Sequence, residues 1–403
     1  MTRFLVYLSP AVGHTLPLVP GLLELQRRGH DVHVRAMPSL VPVLTEAGVD
    51  ATAVIPEVLS GPAFEQGDLI ARGDHDGPDL LAALAEVRPD VLLVDVNAYG
   101  AQVRAEASGL PWATLMPSVV PVPGRGVPPY GVGMKPMGGP LGRARDAVVW
   151  KLVERVFAKA MLPGLNDLRR DAGLREYASP LDSWRPPRRA IAMTAEPLEY
   201  PRTDLPANIH LVGTQPWDPP AERPPYLDEP GDPWVLVTCS TDYQGDERLA
   251  RVAAEALRDE PVRVLITLAD AYDDAALTTS GNVRVERFVP HGHVLPRAAA
   301  VVCHGGMGIV TKAACAGVPA VVVPFGRDQP EIARRVTEAG AGVTLRPKRL
   351  TPERLRGAVR RAMTMSAEAK AVARRLDPTG APGRFADAAL SLVPSEEDDH
   401  VSP

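Results

Sequence analysis

The chain has 403 residues, more than one compact core ordinarily holds, so two domains are expected. Hydrophobic residues make up 45% and charged residues 23%, an ordinary globular balance, and no segment is apolar for long enough to span a bilayer. The net charge of −5 and the scarcity of aromatics speak against nucleic acid as a partner. Cys239, Cys303 and Cys315 form no CxxC pair, and Cys239 and Cys303, in or beside apolar strands, read as small hydrophobes, which fits a reducing, cytoplasmic setting and no metal site.

In chain order, "RFLVYL" (3–8) reads as a buried strand, and Pro10 cuts it too short for a signal peptide. A helix is expected over 15–28, closed by Gly29, then the alternating strand "HDVHVRA". The rhythm repeats at "RPDVLLVDV" (88–96), an Ala-rich helix up to Gly109, and "PWATLMP". Strands alternating with helices predict a parallel, doubly wound sheet.

From Pro117 to Gly142 the density of Pro and Gly predicts a long loop, and loops of that length in compact domains are usually functional. Its Val119, Val120, Val122, Tyr130 and Met134 are candidates to line a site for a bulky hydrophobic ligand. A helix is expected over about 143–172, with Val148, Val149, Leu152, Val153, Val156 and Phe157 packed on the core.

A second Pro-rich tract, 213–233, reads as an interdomain linker. The expected units are therefore 1–212, the linker 213–233, a second doubly wound unit over 234–393, and a frayed acidic tail, 394–403.

No GxxxxGK[ST], no GxGxxG and no GxSxG occurs, which argues against a phosphate loop, a dinucleotide fold and a hydrolase elbow. Two histidines stand at strand-to-helix crossings instead: His14 in "LSPAVGHTLPLVP" and His304 in "VVCHGGMGIVTKAACAG". Ligands of doubly wound sheets bind beyond the carboxyl ends of the strands, so both histidines are expected on one cleft. Gly305, Gly306 and Gly308 let the backbone approach a ligand, and the helix expected to begin near Gly308 offers free N–H groups to an anion. This is a diphosphate cradle without a lysine.

The wider stretch "FVPHGHVLPRAAAVVCHGGMGIVTKAACAGVPAVVVPFGRDQPEIARRV" (288–336) resembles the donor signature of the GT-B glycosyltransferases. The chain is most similar to the actinomycete natural-product branch, along nearly its whole length. The resemblance implies an α/β fold of two Rossmann-like domains facing across a cleft. It implies transfer of a sugar, with inversion, from a nucleotide diphosphate donor to a hydrophobic aglycone. No metal and no resident cofactor are implied, and a homodimer is compatible with it.

Position by position, the resemblance makes His14 the general base and Asp95 the carboxylate that orients it. Chemically, a neutral imidazole takes a hydroxyl proton near pH 7 and a carboxylate fixes its tautomer. His304, Gly305, Gly306, Met307 and Gly308 match the diphosphate-binding turn, and Thr241 a hydroxyl on the same phosphates. Phe288 falls where an aromatic ring stacks on the nucleobase, with His291 a neighbouring polar position. Asp328 and Gln329 match the pair that binds sugar hydroxyls. Two departures stand out. Ile309 replaces the usual hydroxyl residue after the turn, and Lys312, eight residues after His304, replaces a ribose-binding glutamate. The loss of that acceptor favours a deoxyribose nucleotide, and so a thymidine-diphosphate sugar over a uridine one. A nucleotide-sugar epimerase and a non-catalytic auxiliary protein share this architecture; the extended donor signature argues against the first, and the presence of both His14 and Asp95 against the second.

Overall fold

The computed structural model describes residues 1–61, 64, 67–184, 189–240, 247–272 and 277–393. The first sheet has seven strands: β1 (Arg3–Tyr7), β2 (Asp31–Ala36), β3 (Asp50–Ala53), β4 (Val91–Asp95), β5 (Trp112–Met116), β6 (Arg189–Ala192) and β7 (Ile209–Leu211), in the order β3-β2-β1-β4-β5-β6-β7. The second has six: β8 (Trp234–Thr238), β9 (Arg263–Thr267), β10 (Val283–Glu286), β11 (Ala298–Cys303), β12 (Ala320–Val322) and β13 (Gly342–Thr344), in the order β10-β9-β8-β11-β12-β13. Every pairing is parallel. Strands buried on both faces read as unbroken apolar runs, and Phe4–Leu8 and Val91–Val94 are fully buried. The two expected α/β sheets are present.

Strand order reverses between β1 and β4 in the first sheet and between β8 and β11 in the second. At such switch points the connections leave in opposite directions and open a crevice. The chain leaves β1 into α1 (Val12–Thr15) and, after one 3₁₀ turn, α2 (Val19–Arg27). The single helix expected over 15–28 is thus divided, because Pro17 and Pro20 lack the N–H that would continue one hydrogen-bond ladder. Helices α3 (Gly73–Val87) and α4 (Tyr99–Ala107) lie side by side, and a Cβ on Gly100 would stand 2.0 Å from the Gly73 carbonyl oxygen. That close approach brings Arg72 against the end of β4.

The long helix, α5, runs Gly139–Asp171, so the loop before it ends earlier than expected. Its packing corrects the expectation more seriously. Trp150, Met161 and Leu165 are buried, but Val148, Leu152 and Val156 stand on the opposite, exposed face. Residues four apart share a face, so that trio follows one stripe turned from the core. No helix among the described residues is long and apolar enough to cross a membrane.

In the second half, α6 (Met307–Cys315) follows β11, and α7 (Gln329–Ala339) precedes β13. The last helix, α8 (Ala381–Leu390), does not stay with the second unit expected over 234–393. Phe385, Ala386 and Ala389 join the core of the first sheet with Phe4, Leu22 and Leu25. Burying Phe385 completely gives that return its driving force, and Arg28 Nη1 to Asp387 Oδ1 at 2.6 Å ties it on. The tail at 394–403 lies outside the described residues. Four short strands, β3, β6, β7 and β13, were not legible in the sequence, having three or four residues each.

Candidate functional site

A cavity of about 1270 Å³ runs between the two sheet edges, with His14 on one wall and His304 on the other. The cleft expected from the two strand-to-helix crossings is therefore present as one space.

On the first wall His14 sits in α1 just past β1, and Asp95 ends the neighbouring β4. His14 Nδ1 lies 2.7 Å from Asp95 Oδ2. The other oxygen, Oδ1, accepts from Ser9 Oγ at 2.7 Å and from the Asn97 backbone N–H at 2.8 Å. Asp95 is fully buried. Burial alone would push its pKa up, but His14, Ser9 and the Asn97 N–H outweigh it and hold the carboxyl below the usual aspartate value. An ionised Asp95 fixes the proton on Nδ1 and leaves the Nε2 lone pair to accept another. The Asn97 side-chain amide stands 3.4 Å from that nitrogen, a contact an acceptor hydroxyl can replace.

On the second wall β11 ends at Cys303 and the turn begins. Gly305 has φ +100°, and a Cβ there would meet Val322 Cγ1 at 2.7 Å, so only glycine fits. His304, Gly306, Met307 and Gly308 line the cavity, whereas Gly305 shapes the turn from behind. The helix starts at Met307, one residue earlier than expected, with Gly306 as its extended N-cap. Its first N–H groups have no intrahelical acceptor and carry the positive end of the dipole. Ile309 is buried in the second-sheet core, which is what a side chain without a hydroxyl does at that position. Thr241 lies outside the described residues; Ser240 beside it lines the cavity.

Asp328 and Gln329 stand at the N-terminus of α7 and both line the cavity. Gln329 Oε1 accepts from the backbone N–H of Phe325 at 2.7 Å and Gly326 at 3.2 Å, which sets its side chain. Asp328 Oδ2 accepts from Ser118 Oγ at 2.6 Å, a contact from the 117–138 loop of the first half. The same loop is held further along, where the N–H groups of Val132 and Gly133 donate to Glu331 Oε1. Glu331 pairs with Arg335 at 2.8 Å, and Arg335 reaches Glu199 at 3.1 Å, all three buried.

His291 and Lys312 line the cavity between the glycine-rich turn and the 213–233 tract. Lys312 Nζ lies 2.6 Å from Asp218 Oδ1, and Asp218 Oδ2 accepts from the Gly292 N–H at 2.9 Å. Burial first, and the Lys312 ammonium second, push the His291 pKa well below the usual value, so its ring is neutral near pH 7. His291 Nε2 lies 3.2 Å from Thr267 Oγ1. Phe288 does not join this constellation: its ring is 53% exposed and forms no part of the cavity wall.

The end of the cavity beyond His14 is apolar, with Val119, Tyr130, Phe157, Met161 and Trp184. Tyr130 and Phe157 both meet Trp184 edge to face, at 5.9 and 5.1 Å between centroids. Of the loop residues expected to face a hydrophobic ligand, Val119 and Tyr130 do so. Val120 and Val122 point into the core instead, and Met134 is outside the wall. Among the described residues no group of three or more His, Cys, Asp or Glu could hold a metal.

Ser9, Arg72, Asn97, Ser118 and Asp218 are the site residues that sequence reasoning missed. Each lies in a loop or at a helix start, with no motif to mark it. The proline-rich linker was the one available hint for Asp218, and the loop's length the one for Ser118.

Comparison with known proteins agrees with this geometry. Residues 252–382 match the family described as erythromycin biosynthesis protein CIII-like, C-terminal domain. The chain is 32% identical over 384 residues to 4'-demethylrebeccamycin synthase of Lentzea aerocolonigenes, covering 89% of this chain and 91% of that one. Among solved structures it is similar to the glycotransferase of kitacinnamycin, with a TM-score of 0.73 at 25% identity over 98% and 99% of the two chains. It also shares its fold with the glycosyltransferase VinC in complex with dTDP, at a TM-score of 0.70 and 21% identity over 96% and 100%. With both walls of its cleft and nearly all of its length accounted for, the chain belongs to the GT-B family of nucleotide-sugar-dependent glycosyltransferases of actinomycete natural-product biosynthesis.

Proposed function

We propose that this enzyme moves a sugar from a thymidine diphosphate donor to a hydrophobic aglycone by single displacement, with inversion at the anomeric carbon. The observation that carries the reading is the His14–Asp95 pair at 2.7 Å facing His304 across one cavity. His14 Nε2 takes the acceptor proton while the acceptor atom bonds to the anomeric carbon. The bond from that carbon to the diphosphate oxygen breaks, and the electron pair leaves with the diphosphate. Its growing charge is met by His304 and the N-terminus of α6, a preorganised site that requires no metal in this scheme. Asp328 and Gln329 hold sugar hydroxyls, Thr241 a phosphate oxygen, and the Tyr130–Trp184 end the aglycone.

The thymidine preference follows from Lys312. The residue at that position is a cation neutralised by Asp218, and Asp218 spends its other oxygen on Gly292. A lysine ammonium only donates, so at that position it cannot accept from two ribose hydroxyls as a carboxylate would. The relative crystallised with dTDP has the same fold, which supports this reading. Titration calorimetry with TDP and UDP tests it. At 100 times its dissociation constant a nucleotide stabilises the protein by about 2.7 kcal/mol, so thermal shift gives an independent check. Tighter binding of TDP is expected; equal or tighter binding of UDP refutes the preference, and binding of neither refutes the donor site.

A further inference from the structure

Behind the His14–Asp95 pair lies a second, buried ion pair, and we infer that Arg72 and Asp76 are positioning residues that set the proton affinity of His14 through Ser9 and Asp95. This deepens, and rests on, the reading of His14 as the base. Ser9 Oγ gives its one proton to Asp95, so toward Arg72 Nη2, at 3.4 Å, it can only accept. The same Nη2 donates to the Asn97 carbonyl at 3.0 Å, and Asn97 supplies the N–H that Asp95 accepts. Arg72 therefore grips both groups that hold Asp95 Oδ1. Its own counter-ion is Asp76, one turn along α3, at 3.4 Å. Arg72 is 6% exposed and Asp76 fully buried.

A cation in contact with the two groups that hold Asp95 favours the ionised carboxylate and disfavours the imidazolium. The effect is to keep His14 neutral, the form a base needs. Asp76 opposes it when ionised. Further back stand Asp79, which pairs with Arg35 at 3.1 Å and accepts from Tyr7 at 2.9 Å, and Glu86, on the far side of Arg35. Asp79 has its own cation in Arg35, whereas Arg72 touches Ser9 and Asn97, the two groups that hold Asp95. Burial lifts the Asp76 carboxyl to about 7, so the Arg72–Asp76 balance itself changes near neutral pH. This arrangement is specific: it gives the two members of one ion pair opposite effects on the same histidine.

The experiment is an NMR titration of the His14 ring in the full-length protein, with the resonance assigned by His14→Gln. Arg72→Gln is expected to raise the midpoint and Asp76→Asn to lower it, each on the order of one pH unit. Arg72→Lys, which keeps the charge, is expected to stay near wild type. Shifts in the same direction for both charge-removing variants, or no shift in either, overturn the inference, because a packing defect has no reason to change sign. Asp76→Asn is isosteric, so it remains informative should Arg72→Gln fail to fold. Turnover retained by His14→Ala would overturn the base reading alone and leave these shifts standing.

Discussion

Ser118 and Asp328 lie 210 residues apart in sequence and are joined by a 2.6 Å hydrogen bond across the cleft. The serine belongs to the loop that borders the hydrophobic end, the aspartate to the turn proposed to hold the sugar. This contact ties one wall of the cleft to the other. Ser118→Ala removes one hydrogen bond to a carboxylate, worth about 1.5–3 kcal/mol where the charge is desolvated. The expected outcome is weaker binding of the nucleotide sugar with unchanged binding of the free nucleotide, measured side by side by calorimetry. Equal loss for both ligands would place Asp328 away from the sugar.

His14→Ala is expected to lower the transfer rate by at least about a hundredfold, the ordinary contribution of a positioned general base. Nucleotide binding should be spared, since His14 stands on the opposite wall from the α6 turn. Single-turnover kinetics beside a nucleotide titration separates the two. Near-normal turnover would refute the base assignment.

The cluster Glu199–Arg335–Glu331 predicts a stability defect rather than a catalytic one. Arg335 is 2% exposed and holds two fully buried carboxylates. Arg335→Met removes the cation paired with Glu331 and leaves Glu199 with Arg202 at 3.5 Å, and breaking a buried pair in this way costs about 3–5 kcal/mol. Chemical denaturation should show that loss. A change under about 1 kcal/mol would mean that the carboxylates find other partners or protons.

Asp76 predicts a pH dependence of stability. Its carboxyl lies near 7 in the folded protein against 3.8 as the unperturbed value, so the folded state holds its proton over that interval. The associated stabilisation is complete below the unfolded value and is lost as pH rises through the folded one. In Asp76→Asn that dependence vanishes. The difference in unfolding free energy between variant and wild type should therefore move in favour of the variant from pH 5 to pH 8. A difference that stays flat across that range would show that Asp76 titrates normally.

The sequence by itself determined the two parallel sheets, because strands buried on both faces must be continuous apolar runs and the helices between them must repeat at a regular interval. It determined the glycine-rich turn after β11 as well, since Gly305 occupies a conformation other residues resist and leaves a local signature. His14, Asp95, His304, Asp328 and Gln329 were legible because each sits at a strand end or helix start inside a recognisable stretch. Strands β3, β6, β7 and β13, the divided α2 region and the exposed stripe on α5 were not, because few residues and weak periodicity carry them. What only the tertiary structure decided is everything that depends on pairing at long range: Phe385 returning to the first core, Lys312 neutralised by Asp218, Ser118 reaching Asp328, and Arg72 with Asp76 placed beneath the dyad. The physical reason is that a hydrogen bond or ion pair acts over about 3 Å whatever the separation along the chain, so nothing local in the sequence marks its two ends.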